Sequence, residues 1–245
     1  MTITDMHIMI NLGLQKIASN QVDSFLPQEL DLELNKNIQR FIEHRLNKFG
    51  NKYRTGFEGS QKRIDDVRTL IAEDSSATAY KGQVSEKHHV VSYTLPSTYM
   101  HLISVRCLVS YDKCKPIITS FVLDDPIVLT TDYKNTVSVA KYSQLDDIYT
   151  LLDDPFNSTS YKKPIYTMID DKIDIYTDDK FVVSTVKTTY IQTPNTVDSV
   201  SAPTVDCDLP DHTHQEIVDM TVNSLLEAIS DPRYRTNLGE VQRSE

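Results

Sequence analysis

The chain has 245 residues, of which 39% are hydrophobic and 24% charged, with a formal net charge of −10. That length can bury one good core or two small ones without disulfides or a structural metal, and the acid excess disfavours a general nucleic-acid binder, whose affinity comes from Lys and Arg neutralising phosphates. Glycine is scarce, with six in the chain and none between Gly82 and Gly239; phosphate loops, dinucleotide turns and nucleophile elbows are excluded from that stretch in their usual form.

The first segment predicts a helix over Ile3 to Ala18, with Thr4 or Asp5 able to accept from the free amides of its first turn and Gly13 as a weak point. Asp5, His7, Asn11, Gln15 and Lys16 interrupt its apolar positions, so no signal core or membrane span is expected and the protein is expected to start in the cytoplasm. A second helix opens at Pro27 and closes before Gly50, with Leu30, Leu34, Ile38, Phe41, Ile42, Leu46 and Phe49 on one stripe. A third helical stretch is predicted from Glu58 to Ala72 on the spacing of Ile64, Val67, Leu70 and Ile71.

From His88 to Thr131 the period changes, and HHVVSYTL, MHLISVRCLVSY, KPIITSFVL and PIVLTT read as antiparallel strands. A further strand is predicted at Thr136 to Tyr142. SQLDDIYTLLDDPF then reads as a short helix near 143–153, capped by Ser143, lined by Leu145, Ile148, Leu151 and Leu152, and stopped by Asp154-Pro155. PIYTMI, KIDIYT and KFVVSTVKTTYIQ read as a β-meander turning at Asp170-Asp171 and Asp178-Asp179. Pro194 to Asp206 is aperiodic and predicts a crossing segment. A last helix follows Pro210, with Ile217, Val218, Thr221, Val222, Leu225, Leu226 and Ile229 on one broad face and Asp231-Pro232 as a stop.

Together these elements predict an α+β fold. Residues 1–75 form an N-terminal helical part, 76–205 an antiparallel β insertion, 206–231 a C-terminal helix that packs on the first helices into a bundle, and 232–245 an extended arm.

The chemistry-bearing candidates have plainer readings. Cys107, Cys114 and Cys207 form no CxxC pair and read as packing residues in a reducing compartment. His212 and His214, with Cys207 and Glu216 nearby, are the only cluster resembling metal ligands, but residues two apart diverge by about 200° on a helix; a capping and intersubunit role is the preferred reading, and no metal or cofactor is expected. Tandem aspartates at Asp65, Asp124, Asp146, Asp153, Asp170 and Asp178 read as turns, caps or solvated faces. Ser-x-x-Lys occurs at Ser110, Ser138, Ser160 and Ser184, and on strands such as SVAK and STVK its two side chains face apart, which leaves no catalytic residue to assign. Asn157-Ser158-Thr159 matches a glycosylation acceptor and reads as a loop. In the tail, Arg233, Tyr234, Arg235, Leu238 and Arg243 are residue types suited to interface anchors.

Three stretches carry a resemblance: MTITDMHIMINLGLQKIASNQVDSFLPQELDLELNKNIQRFIEHRL, then LDDIYTLLDDPF with PIYTMIDDKIDIYTDDKFVVSTVKTTYIQTP, and finally LPDHTHQEIVDMTVNSLLEAISDPRYR. They resemble connector proteins of crAss-like and related Bacteroidetes phages. The resemblance implies a non-enzymatic virion protein of the head-to-tail connector. Its expected partners are eleven further copies in a twelve-subunit ring, the portal protein, adjacent tail ring proteins, and genomic DNA passing without sequence-specific binding, with no membrane. It also implies a C-terminal arm that contacts the portal or an adjacent ring; the segment from Arg233 to Glu245 is expected to be that arm and to order on assembly. The alternatives are another neck or tail component, such as a tail hub, tail-completion or muzzle-associated protein, and a metal-dependent hydrolase or nuclease using the carboxylates and histidines.

Overall fold

The computed structural model describes residues 1–17, 25–46, 61–85, 87–111 and 134–228. Among these it is a mixed α+β fold with five helices and two sheets of predominantly antiparallel strands. The chain divides into two compact units, one made of residues 1–70 and 194–245, the other of residues 71–193.

The helical unit contains α1 (Ile3–Ile17), α2 (Pro27–Leu46), α3 (Gln61–Val67) continued by a 3-10 turn over Arg68–Leu70, and α5 (Asp211–Ala228). Thr2 caps α1, and Asp5, expected with Thr4 as an acceptor for free amides at the helix start, does accept one. The Thr2 hydroxyl accepts from the Asp5 amide at 3.3 Å while the Asp5 carboxylate accepts from the Thr2 amide at 3.1 Å, a reciprocal capping box. Glu29 plays the returning role on α2, accepting from the Leu26 amide at 2.9 Å. The apolar stripes meet inside: Ile3, Met6, Ile10 and Leu14 from α1, Leu30, Leu34, Ile38, Phe41 and Ile42 from α2, and Ile217, Val218, Val222, Leu225 and Leu226 from α5 are all buried. α5 lies against both α1 and α2. At Gly13 an added Cβ would stand 2.8 Å from Val222 Cγ2, so glycine there permits a close approach of α1 to α5.

Residues 71–193 form two sheets. The first has strand order β1 (Ile71–Ala77), β9 (Phe181–Gln192), β4 (Tyr99–Tyr111), β5 (Lys134–Val139). The second runs β2 (Ala79–Gln83), β3 (His88–Thr94), β8 (Lys172–Asp178), β7 (Ile165–Ile169), β6 (Lys141–Tyr142). All pairings are antiparallel except β6 with β7. Val91, Tyr93, Val105, Cys107, Ile173, Ile175, Phe181 and Val183 form the core between the sheets. A smaller cluster of Val90, Ile148, Leu152, Ile165 and Tyr176 seats α4 (Ile148–Asp153). Covered on both sides, β8 buries five consecutive residues, Ile173 to Thr177.

Four sequence expectations change. The third helix does not reach Ala72: a strand begins at Ile71, and its register against β9 runs from Ile71 with Ile191 to Ala77 with Thr185. Residues 71–75 therefore belong to the β unit. The short helix begins at Ile148 behind a turn; Asp147 stands at its cap without a side-chain bond, Ser143 instead donates to the Gln144 carbonyl at 3.3 Å, and Leu145 is exposed. The turn at Asp170-Asp171 forms, with Asp170 at φ 56° in the left-handed region that Asp tolerates. The second turn is not a meander hairpin: Asp178 still pairs with His88 in β3, and Asp179 and Lys180 carry the chain across to the other sheet, where β9 pairs with β1 and β4. β3 and β7 occupy both lateral positions of β8, so β9 has no edge there to join. The strands expected in KPIITSFVL and PIVLTT lie outside the described residues.

Candidate functional site

The helical unit holds two acid-centred clusters that tie its elements together. Arg45 falls on the apolar stripe of α2, four residues after Phe41, and its guanidinium stands 4.5 Å from that ring's centre. Its Nε donates to Asp66 Oδ2 at 2.7 Å and its Nη2 to both Glu216 oxygens at 2.6 Å. Asp66, 1% exposed, also accepts from His212 Nε2 at 3.0 Å. One guanidinium thereby fastens α2 to α3 and α5. Such a group suits the task because its planar donors address two carboxylates at once and it does not deprotonate.

The second cluster centres on buried Asp31 of α2. His7 of α1 donates to Asp31 Oδ1 at 2.9 Å, and the Ser199 amide and hydroxyl donate to Oδ2 at 3.0 and 2.7 Å. One turn along, the Asn35 side chain closes a two-bond pair with the Val197 backbone at 2.8 and 2.9 Å. The set contains a serine, a histidine and an aspartate, but both the hydroxyl and the imidazole point at the carboxylate. The imidazole accepts nothing from the serine, so this is a clamp on the 194–206 segment and not a nucleophile with its base. The clamp borders an open groove of about 500 Å³ lined by Gln28, Asp31, Leu32, Asn35, Val197 and Ser201.

The residues singled out in the sequence do other work. His212 serves Asp66, and His214 is buried with Nε2 donating to the Leu209 carbonyl at 2.9 Å, placing it inside the helical unit and not on an intersubunit surface. Among the described residues no three His, Cys, Asp or Glu side chains converge as a metal site, and no helix is long and apolar enough to cross a membrane. Cys107 is buried between the sheets, and burial pushes its thiol up to about 12; Cys207 is also raised by burial, and Cys114 lies outside the described residues. Ser138 donates to the Tyr161 carbonyl at 2.6 Å, and Lys187 pairs with Glu73 at 2.7 Å. Most described aspartate pairs sit in turns or at exposed ends; Asp66 is the exception. Arg233, Tyr234, Arg235, Leu238 and Arg243 lie outside the described residues.

The β unit supplies a different kind of feature. Tyr142, Leu145, Tyr149 and Phe156 are exposed within fifteen residues, Phe156 by 94%. Ile148 and Leu152 hold the short helix down from beneath. The Asp154 carboxylate accepts from the Phe156 amide at 2.9 Å and the Asn157 side chain at 2.6 Å, which fixes the turn that presents the ring; these bonds also hold its pKa below the usual carboxylate range.

Neither protein-family models nor curated proteins give a match to this chain. The reading of its function therefore rests on residues and geometry.

Sequence reasoning missed both acid-centred clusters. Arg45 carried a usable signal, since a charged residue on an apolar stripe has to find partners inside. Asp31 carried less, because its partners are 24 and 168 residues away.

Proposed function

We propose that this chain is a structural, non-enzymatic virion protein that forms a ring in the head-to-tail connector of a crAss-like phage, linking portal to tail and lining the DNA channel. In this reading α1, α2 and α5 are the bundle, the residues 71–193 are the β insertion, and the segment from Arg233 to Glu245 is an interfacial arm. The protein is made in the bacterial cytoplasm and is then built into the neck of the particle.

The observation that carries the reading is the division of labour among side chains. In the two acid-centred clusters of the helical unit, the carboxylates, imidazoles and guanidinium are spent on one another in joining helices and in holding the 194–206 segment. Large apolar side chains meanwhile stand in solvent on and beside a short helix whose underside is anchored. Exposed apolar residues this close together along the chain are the kind that contact surfaces use. The net charge of −10 is compatible with a channel lining along which a duplex slides, because carboxylates repel phosphates.

Truncation after Asp231 tests the arm. The expected result is a soluble protein with unchanged thermal unfolding and weakened attachment to portal or neighbouring rings, measured by co-sedimentation. A truncated chain that unfolds outright would make the segment part of the fold. A reconstruction of the virion neck tests the placement as a whole.

A further inference from the structure

The exposed stretch around α4 has a defined chemical character. Tyr142, Leu145, Tyr149 and Phe156 supply apolar and aromatic surface, and Asp146, Asp147 and Asp153 are exposed among them. From Gln144 to Phe156 there is no Lys or Arg. An occupant complementary to it is apolar and cationic: guanidinium groups pair with the carboxylates and lie over the rings, and an aliphatic or aromatic anchor fills the space between. The surface is held ready, since Ile148 and Leu152 are buried below it and Asp154 fixes the turn before Phe156. Little ordering cost remains on this side of a contact.

The chain itself carries that chemistry concentrated at one point, Arg233-Tyr234-Arg235. It lies within residues 229–245, seventeen in number, which follow the last described residue of α5 and also contain Leu238, Arg243 and the acids Asp231, Glu240 and Glu245. Seventeen residues span up to about 60 Å when extended, enough to reach a second molecule. A donor segment and a separate receiving surface on the same chain make a head-to-tail contact, the kind that closes into rings. Resting on the ring-forming reading above, we infer that residues 229–245 of one copy dock on the 142–156 surface of the neighbouring copy, with Arg233 and Arg235 against Asp146, Asp147 and Asp153, and Tyr234 against Tyr149 and Phe156.

The test uses full-length protein with a photo-crosslinking benzoylphenylalanine in place of Tyr234, assembled from an equal mixture of nitrogen-15-labelled and unlabelled copies. The expected product joins position 234 to a peptide within 142–156, with both isotopes in one crosslinked species. Links confined to single-isotope species, meaning the segment folds back on its own copy, overturn the inference, as do links to the Gln28 to Ser201 groove or to any other surface. A second arm replaces Tyr149 and Phe156 by serine, exposed positions at which circular dichroism should be unchanged. Self-association by sedimentation velocity should weaken at least tenfold. Arg233→Glu with Arg235→Glu should weaken it similarly, and adding Asp146→Arg with Asp147→Arg should restore it; no restoration overturns the charge pairing. Rings that persist unchanged in the serine variant overturn the docking and leave the ring-forming reading standing. A full-length chain that stays monomeric both alone and with portal overturns both.

Discussion

Arg45 is 6% exposed and ties two carboxylates from elements 21 and 171 residues away in sequence. Its position on the α2 stripe was visible in the sequence, while the identity of its partners was not, because nothing local links residue 45 to 66 or 216. Arg45→Leu removes the cation that pairs with buried Asp66 and leaves the His212 bond in place. The expected loss is about 3 to 5 kcal/mol, the cost of stranding a buried charge, read from urea unfolding. Lysine at this position should recover only part of it, since an ammonium cannot address both carboxylates with fixed geometry. His89 gives a pH prediction in the other unit. Burial lowers its pKa, against the opposing hydrogen bond to Asp179. The fold favours the neutral ring, so this contribution is fully present above the ordinary histidine value of about 6.5 and is lost as pH falls from there towards the folded-state pKa. Thermal unfolding followed from pH 7.5 down to 5 should show that loss, and His89→Gln should flatten it; identical slopes would remove His89 as the cause.

Among the elements, α1, α2, α5 and most of the strands followed from periodicity, since each presents a stripe or an alternation that the core then uses. The failures have physical reasons. β1 and β2, spelled IAEDSSA and AYKGQ, lie at sheet edges and bury little, so they carry no alternation of large apolar residues to read and were absorbed into the preceding helix or missed. The crossing from β8 to β9 looked like a hairpin because a turn's composition does not record which sheet the next strand joins. Gly13 was read as a weak point of α1, and the structure gives it a purpose against Val222. Alanine there should gain up to about 1 kcal/mol of helix propensity but lose roughly 1 to 3 kcal/mol to overpacking against a stiff β-branched neighbour. Gly13→Ala is therefore expected to lower the melting temperature. Adding Val222→Ala should return part of the loss, and additive effects of the two changes would show that they do not meet.

At the scale of the whole molecule, the helical unit is discontinuous in sequence: its first part ends at Leu70 and its second begins at Pro194. Ile71 and Ile191 are cross-strand partners, so the intervening β unit enters and leaves at neighbouring points. Replacing residues 71–193 by a short Gly-Ser linker should leave a helical protein that melts cooperatively by circular dichroism; a non-cooperative product would show that the helices depend on the β unit. The discontinuity also sets a timetable for biosynthesis. α1 and α2 emerge from the ribosome early, yet the helix that covers them ends at Ala228, so at about 5 to 20 residues per second their apolar faces wait roughly ten to forty seconds for a partner. The β unit has all its strands by Gln192 and can fold in that interval. Completion of the helical half therefore waits until the β unit has been synthesised, and a chain arrested before Asp211 carries two helices without their cover.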